Sequence, residues 1–563
     1  MRRLRRTRAI LTALLMLGLV MAGCGGGSGR FSGGDAPSAT ANDINPVARD
    51  QLANGETLRW PLFRFPANFN YHELYGPDIE NAAVVGALLP QLFTFDAAGR
   101  PRVRKEYFES VELTSTEPKQ VVTYRINPKA FWYDGTPLTV ADFQAQWKAL
   151  NGSSPAFRVA STQGYDKIEN VAAGRDQREV VVTFKTKYAD WRALFSMIYP
   201  ASTNANPNTF NTGWKQQPLT TAGPFKLASL DQTAKTITLV RNEKWWGLPA
   251  KLERIIYRVM DPDAQVDALA NGEIDFIDVA SDVNRFQRTR AVQGVTVRRA
   301  GASNFVHITI NGTSEVLKDV RVRRALAMGI DRGRIARAEI APLGGAPVSL
   351  DNHIFLANQK GYQDNSGDVG RYNPQRAGAL LDEAGWKLTS SVRTKGGEDL
   401  TVRFVIPTQV TNTAELVKSM LSKIGVKVRI ESVPANKFHN FIASGNFDFV
   451  SFVWLGTPFS ISSSKPIYAN PKPGPDGQLD VQQNYARVGS DEIDRLFDQA
   501  TAELDRTQAV QLANEIDAKI WQEVHSLTLY QRPDIVATNT NLANFGAFGI
   551  ASRAYEDIGF IKP

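Results

Sequence analysis

A single cysteine, Cys24, in 563 residues leaves no route to an intramolecular disulfide or to a multi-cysteine zinc or iron–sulfur site. Histidine is almost as scarce. The five residues His72, His307, His353, His439 and His525 are scattered, and none forms an H-E-x-x-H helix pair. No G-x-S-x-G elbow and no G-x-x-x-x-G-K-[ST] phosphate loop occurs. The acidic stretch 261–267 lacks the glycine and the terminal glutamate of a calcium loop and is expected to cap a helix. These absences point away from an enzyme: no catalytic residue, metal or cofactor is expected. The charge surplus is also less than it looks. Of the net +8, five charges are Arg2, Arg3, Arg5, Arg6 and Arg8, leaving +3 for the rest, which gives no footing for a nucleic-acid partner.

What is present starts at the N-terminus. After the basic start, Ala9 to Ala22 is a 14-residue run without charge. That is too short for a spanning helix, which needs about 20 apolar residues, and suits a secretory signal. Ala22 and Gly23 then precede Cys24. The pattern resembles the bacterial lipobox, with Met21 where leucine is usual. It implies that Cys24 is lipidated and that residues 1–23 are a lipoprotein signal peptide. Residues 24–55, rich in Gly, Ser, Ala and Asp, read as a flexible tether. The body is expected to begin near Glu56. It would sit at the cell membrane, lipid-anchored on the extracytoplasmic face.

The body alternates helix and strand signals, which predicts an α/β fold. Val122, Tyr124 and Ile126 share one face of a strand. Thr139 and Asp142 form a capping-box pair before a helix stripe of Phe143, Trp147 and Leu150. Asp319, Asn373 (followed by Pro374), Ser490 and Asp505 read as further helix caps.

Six segments taken in order, "FWYDGTPLTVADF", "GPFKL…LVRNEKWW", "LANGEIDF", "VRVRRALAMGID", "YNPQRAGALLDEAGW" and "FDFVSFVW", resemble the extracytoplasmic solute-binding proteins of peptide and nickel ABC importers, family 5. The resemblance runs from about residue 56 to 563. It implies a two-lobed periplasmic-binding-protein fold, type II-like and of cluster C, with an extra subdomain in the first lobe. Residues 56–258 would form lobe I with that subdomain, 259–529 lobe II, and 530–563 the return to lobe I. The crossings are expected near Arg258–Asp261 and Leu527–Arg532.

The stretch 447–468 departs from the family. In its peptide binders, an aspartate three residues after the tryptophan matching Trp454 holds the ligand's ammonium. Here that position is Thr457, and no acid occurs between Asp448 and Asp476. Either the ligand lacks a free amino terminus, or another carboxylate such as Asp78 or Glu80 serves. The serines at 460, 462, 463 and 464 are read as a hydroxyl-rich loop facing a polar ligand or solvent. Candidate ligand-binding residues are Trp454, with Val453 and Leu455 offering backbone groups, Thr457, Tyr75, Tyr530 and Phe305.

The expected function is that of a lipid-anchored, monomeric substrate-binding protein. It takes a peptide or related polar ligand between its lobes and delivers it to an ABC permease. The alternative is a same-fold lipoprotein, outside transport, that regulates cell-envelope glycolipid assembly, as in some actinobacterial members. A surface hydrolase is a third reading.

Overall fold

The computed structural model describes residues 42–407, 412–473 and 479–563. Cys24 and the signal-like segment lie outside the described residues.

The first lobe opens with β1 (Thr57–Leu62) and α1 (Ile79–Val85). An insert follows: β2 (Phe108–Ser115), β3 (Val121–Ile126), α2 (Val140–Leu150), β4 (Ile168–Ala173) and β5 (Glu179–Phe184). Its strands pair antiparallel in the order β2-β3-β5-β4. Val122, Tyr124 and Ile126 are fully buried, so the alternation seen in sequence is the insert's core face. α2 carries the expected capping box, Thr139 with Asp142, and buries Phe143 and Leu150. The chain then returns through β6 (Phe225–Asp231), β7 (Thr236–Arg241) and β8 (Arg254–Val259), with β8 parallel to β1.

Next come β9 (Phe276–Asp278), β10 (Val295–Ile310), α3 (Val320–Met328) and α4 (Pro374–Glu383). β11 (Thr401–Pro407), α5 (Asn412–Ser422), β12 (Lys427–Val433), β13 (Phe449–Leu455) and α6 (Ser460–Tyr468) follow. The last elements are α7 (Asp491–Ala502), α8 (Arg506–Glu523) and β14 (Ser526–Asn539). The large sheet has the order β9-β14-β10-β13-β11-β12. Asp319, Asn373, Ser490 and Asp505 each accept backbone N–H groups at a helix start, as their sequence positions predict. The acidic stretch 261–267 behaves otherwise. Its helix, Gln265–Ala270, has no side-chain cap, and Asp261 accepts the Asp263 N–H instead.

Two strands join the lobes. β10 carries Ala300 into the first apolar core and Ile308 into the second. β14 carries Leu527 and Tyr530 into the second and Val536 into the first. Between the cores their ladder breaks: Gly301 faces Pro533 and Phe305 faces Gln531, so residues 302–304 bulge opposite Arg532. We therefore read the outward crossing at 301–305 rather than at Arg258–Asp261, because β8 ends within the first lobe's own sheet.

The ordered body also starts before Glu56. Asp43 and Ala547 exchange backbone hydrogen bonds of 2.8 and 2.9 Å, and the Asp43 carboxylate pairs with Arg298 at 3.0 Å. Leu52 is fully buried. These partners lie far along the chain, and a Gly- and Ser-rich composition gives no sign of them. No helix among the described residues is long and apolar enough to cross a membrane.

Candidate ligand-binding cleft

The bulge at 302–304 forms one wall of a cavity of about 290 Å³. Trp60 and Phe63 from the end of β1 and Glu80 from α1 form another. Asp278, Arg532, Asp534 and Arg553 complete its charged lining.

α1 aims Glu80 inward. Asp78 caps the helix by accepting the Glu80 and Asn81 N–H groups, which leaves Ile79 exposed and Glu80 only 5% exposed. Glu80 Oε1 accepts the Phe63 N–H at 3.1 Å, while Oε2 has no partner among the described residues. Burial pushes the carboxyl up to about 7, aided by the charges of Asp78 and Asp278 and opposed by Arg64 and the Phe63 N–H. Asp534 is pushed up to about 6 by burial and by Asp278, although Gly549 donates to it at 2.9 Å. Asp278 is raised too, chiefly by burial, with the Ala280 N–H at 2.8 Å as its bond.

Two cations face these acids. Arg532 Nε donates to Ser281 Oγ at 2.9 Å. The Arg553 guanidinium lies 5.4 Å from the Trp60 ring centre and 5.2 Å from that of Phe548, and its buried Nε has no hydrogen-bond partner. None of the acid–arginine pairs in this set reaches ion-pair distance among the described residues. The cavity therefore has charged groups in its lining that are incompletely satisfied within the chain.

A second feature adjoins it. β13 pairs with β10 along its whole length, but with β11 only at Phe449 and Val450. From Ser451 to Leu455 its other edge has no strand partner among the described residues. Trp454 stands here, half-buried, with its ring parallel to Tyr485 at 6.0 Å and to His307 at 5.8 Å. On its opposite, β10-facing edge the strand ends beside the cavity wall: Asn304 pairs with Leu455, and Gly456 N–H donates to Ser303 O at 2.7 Å.

The structure brings several of the residues named from sequence onto neighbouring strands. Phe305 faces Trp454, and Val306 faces Val453 on one side and Tyr530 on the other. Their side chains differ in availability. Phe305 packs with Leu350, Leu356 and Ile550, and Tyr530 belongs to the second core. Val453 is half-buried and Leu455 exposed. Tyr75 lies apart and is exposed, with the Arg158 guanidinium 5.8 Å from its ring centre. The Thr457 hydroxyl is engaged locally, accepting the Phe459 N–H at 3.1 Å and donating to Ser463 Oγ at 3.1 Å.

The serine run is a helix, α6, rather than a loop. Ser460, Ser462 and Ser464 are buried, and the Ser460 hydroxyl bonds to Gln359 and the Thr457 carbonyl. α6 also touches the first lobe. Ser462 N–H donates to Asp190 at 3.2 Å and its carbonyl accepts from Gln163. Ala189 N–H donates to Thr501 O at 2.7 Å, and Phe95 meets Phe459 edge-on at 5.5 Å. The lobes are closed on each other at this side.

The sequence reading did not identify Asp278, Arg532, Asp534 or Arg553. They come from three separate segments and converge only through the crossing strands. Three of the histidines also converge. His353 Nδ1 meets Asp517 at 2.8 Å, His525 Nδ1 meets Ser526 Oγ at 3.1 Å, and His307 lies close enough to His525 for charge on one to disfavour it on the other. This cluster is sealed in the second lobe. Among the described residues no group of three acidic, histidine or cysteine side chains is arranged to hold a metal ion.

Residues 103–473 match bacterial extracellular solute-binding proteins, family 5, middle region. The oligopeptide-binding protein OppA of Mycobacterium tuberculosis is 39% identical over 568 residues, covering 98% of this chain and 94% of that protein. The probable monoacyl phosphatidylinositol tetramannoside-binding protein LpqW of the same species is 28% identical over 296 residues, covering 51% of this chain and 45% of that protein. The solved structure of a periplasmic EDTA-binding protein, EppA, superposes with a TM-score of 0.83 at 24% identity, covering 94% of this chain and 100% of that one. These likenesses confirm the two-lobed α/β fold and a class of proteins that bind rather than catalyse. The chain belongs to the bacterial extracellular solute-binding proteins of family 5.

Proposed function

We propose that this protein is the substrate-binding component of an ABC importer. It is held outside the membrane by a lipid on Cys24, captures peptides between its lobes and passes them to a permease as a monomer. The observation that carries the reading is the unpaired edge of β13, on a strand whose end adjoins a cavity with a charged lining. An extended peptide can pair with that edge as an added strand. At about 3.4 Å per residue, residues 451–455 offer a ladder for roughly four or five ligand residues. Trp454 and Leu455 would flank it, and the Asp190–Ser462 contact would help keep the lobes shut over it. The name of the 39% identical relative agrees with peptide as the ligand class.

The envelope-glycolipid reading draws on LpqW, whose similarity spans only half of this chain. The full-length likeness to OppA favours peptide. Native mass spectrometry of the protein purified without refolding separates the two. A heterogeneous set of peptide masses, released on denaturation, is expected; a discrete glycolipid mass would overturn the peptide reading. Replacing Cys24 by Ala is expected to move the protein from the membrane fraction to the soluble one.

A further inference from the structure

The geometry points to the Glu80–Asp278–Asp534 cavity, rather than the position Thr457 occupies, as the seat of the ligand's free amino terminus. This rests on the peptide reading above and assigns which end of the peptide enters where.

Thr457 cannot take the role. It carries no charge, and its hydroxyl already bonds Phe459 N–H and Ser463. Asp78, the other acid considered from sequence, spends its carboxylate on the cap of α1. Glu80 is different: it is almost fully buried, faces the cavity, and holds one oxygen without a partner. A carboxylate oxygen left open at a cavity wall is a place for a donor from outside the chain.

The charge balance selects that donor. Three carboxylates and two arginines line the cavity, leaving one negative charge in excess when all are ionised. One monocation would balance it. The arrangement does not suit a bare metal ion, because no three acidic groups among the described residues converge on one point. A primary ammonium has three N–H donors pointing in different directions, and it can reach acceptors set apart from one another. The arginines fit the same ligand. Arg553 Nε is buried and lacks an acceptor, and the carbonyl oxygen of the ligand's first peptide unit would supply one. From there the chain leaves past 302–304, beside the end of β13.

The test compares a mixed pentapeptide library with free amino termini against the same library N-acetylated. Both are offered to the full-length protein, to Glu80→Gln and to Asp278→Asn, and read by native mass spectrometry and calorimetry. Thermal unfolding of each variant checks that it is folded. The wild type is expected to bind the free-amino peptides at least tenfold more tightly, the scale of a lost charge-assisted hydrogen bond. Each variant is expected to lose that preference, with the free-amino and acetylated libraries binding alike. Equal binding of both libraries by the wild type, or a preference that survives both substitutions, would overturn the assignment and leave the peptide reading standing. Binding of neither library would overturn both.

Discussion

Two polar clusters sit in this molecule, one fully buried and one largely half-buried, and they are built to opposite rules. In the second lobe, His353, Asp517 and His525 find their partners inside the chain. Asp517 accepts from His353 Nδ1, from the His353 backbone N–H and from Asn365, each at 2.8 Å. His525 reaches Ser526 through Nδ1, and Asn484 and the Ile467 carbonyl through Nε2. Around the crossing strands, Glu80, Asp278, Asp534, Arg532 and Arg553 are similar in type, yet an oxygen of Glu80 and a nitrogen of Arg553 stay open. A buried polar group left without a partner costs about 1–3 kcal/mol. His353, Asp517 and His525 avoid that cost and hold the fold, although the neighbouring His307 leaves its Nδ1 without a partner. The second cluster carries it at Arg553 and faces a cavity, as expected of a ligand site before its ligand arrives.

The contrast can be broken most sharply at Asp517. Replacing it with Ala strands the donors of His353 and Asn365 in a dry core. The expected loss is about 3–5 kcal/mol of unfolding free energy in urea, with the amino-terminus preference of the remaining folded protein unchanged. A mild effect on stability joined to a lost preference would reverse the two roles.

Glu80→Gln is expected to do the opposite. The carboxyl of Glu80, faced by Asp78, Asp278 and Arg64, sits near 7 in the fold against 4.5 when free. The unfolded chain therefore ionises first. Glu80 places no burden on the empty protein below about pH 4.5, and its contribution to stability is lost as pH rises towards 7. Gln removes that loss and keeps an oxygen for the Phe63 N–H. Above pH 7 the empty variant should be more stable than the wild type by about 1–2 kcal/mol, while binding free-amino peptides at least tenfold more weakly. Urea unfolding from pH 4.5 to 8 would show the two proteins diverging as pH rises.

Asp190→Ala touches neither cluster and should have the smallest effect. It removes the bond to Ser462 that ties the lobes. A shift of about 1 kcal/mol towards the open form is expected, seen as a larger radius of gyration by X-ray scattering and a several-fold faster peptide release.

What could be read from the sequence follows the same division. Local rules were legible. The capping box at Thr139, the caps at Asp319, Asn373, Ser490 and Asp505, and the alternation at Val122–Ile126 depend on neighbours a few residues apart, and all appear as expected. The serine run at 460–464 was misread because a Pro and four hydroxyls disfavour a helix, whereas tertiary bonds to Gln359, Asp190 and Gln163 supply what propensity does not. The cavity was visible only at Glu80. Arg553 and Asp534 reach it from the far end of the chain, and no spacing rule links them to α1. Thr457, by lacking a charge, left two readings open from sequence, a ligand without a free amino terminus or a carboxylate elsewhere such as Glu80.

On the assignment proposed above, the cavity's polar groups stay unsatisfied until an amino terminus enters. Proton counting tests it most directly. An ammonium placed beside Glu80 and Asp534 favours their charged forms, so binding near pH 6.5 should expel protons. Calorimetry of free-amino peptides in buffers of different ionisation enthalpy is predicted to show net proton release. The release should shrink in Glu80→Gln and vanish for N-acetylated peptides. Binding with no proton release, or with equal release for acetylated peptides, would contradict the account.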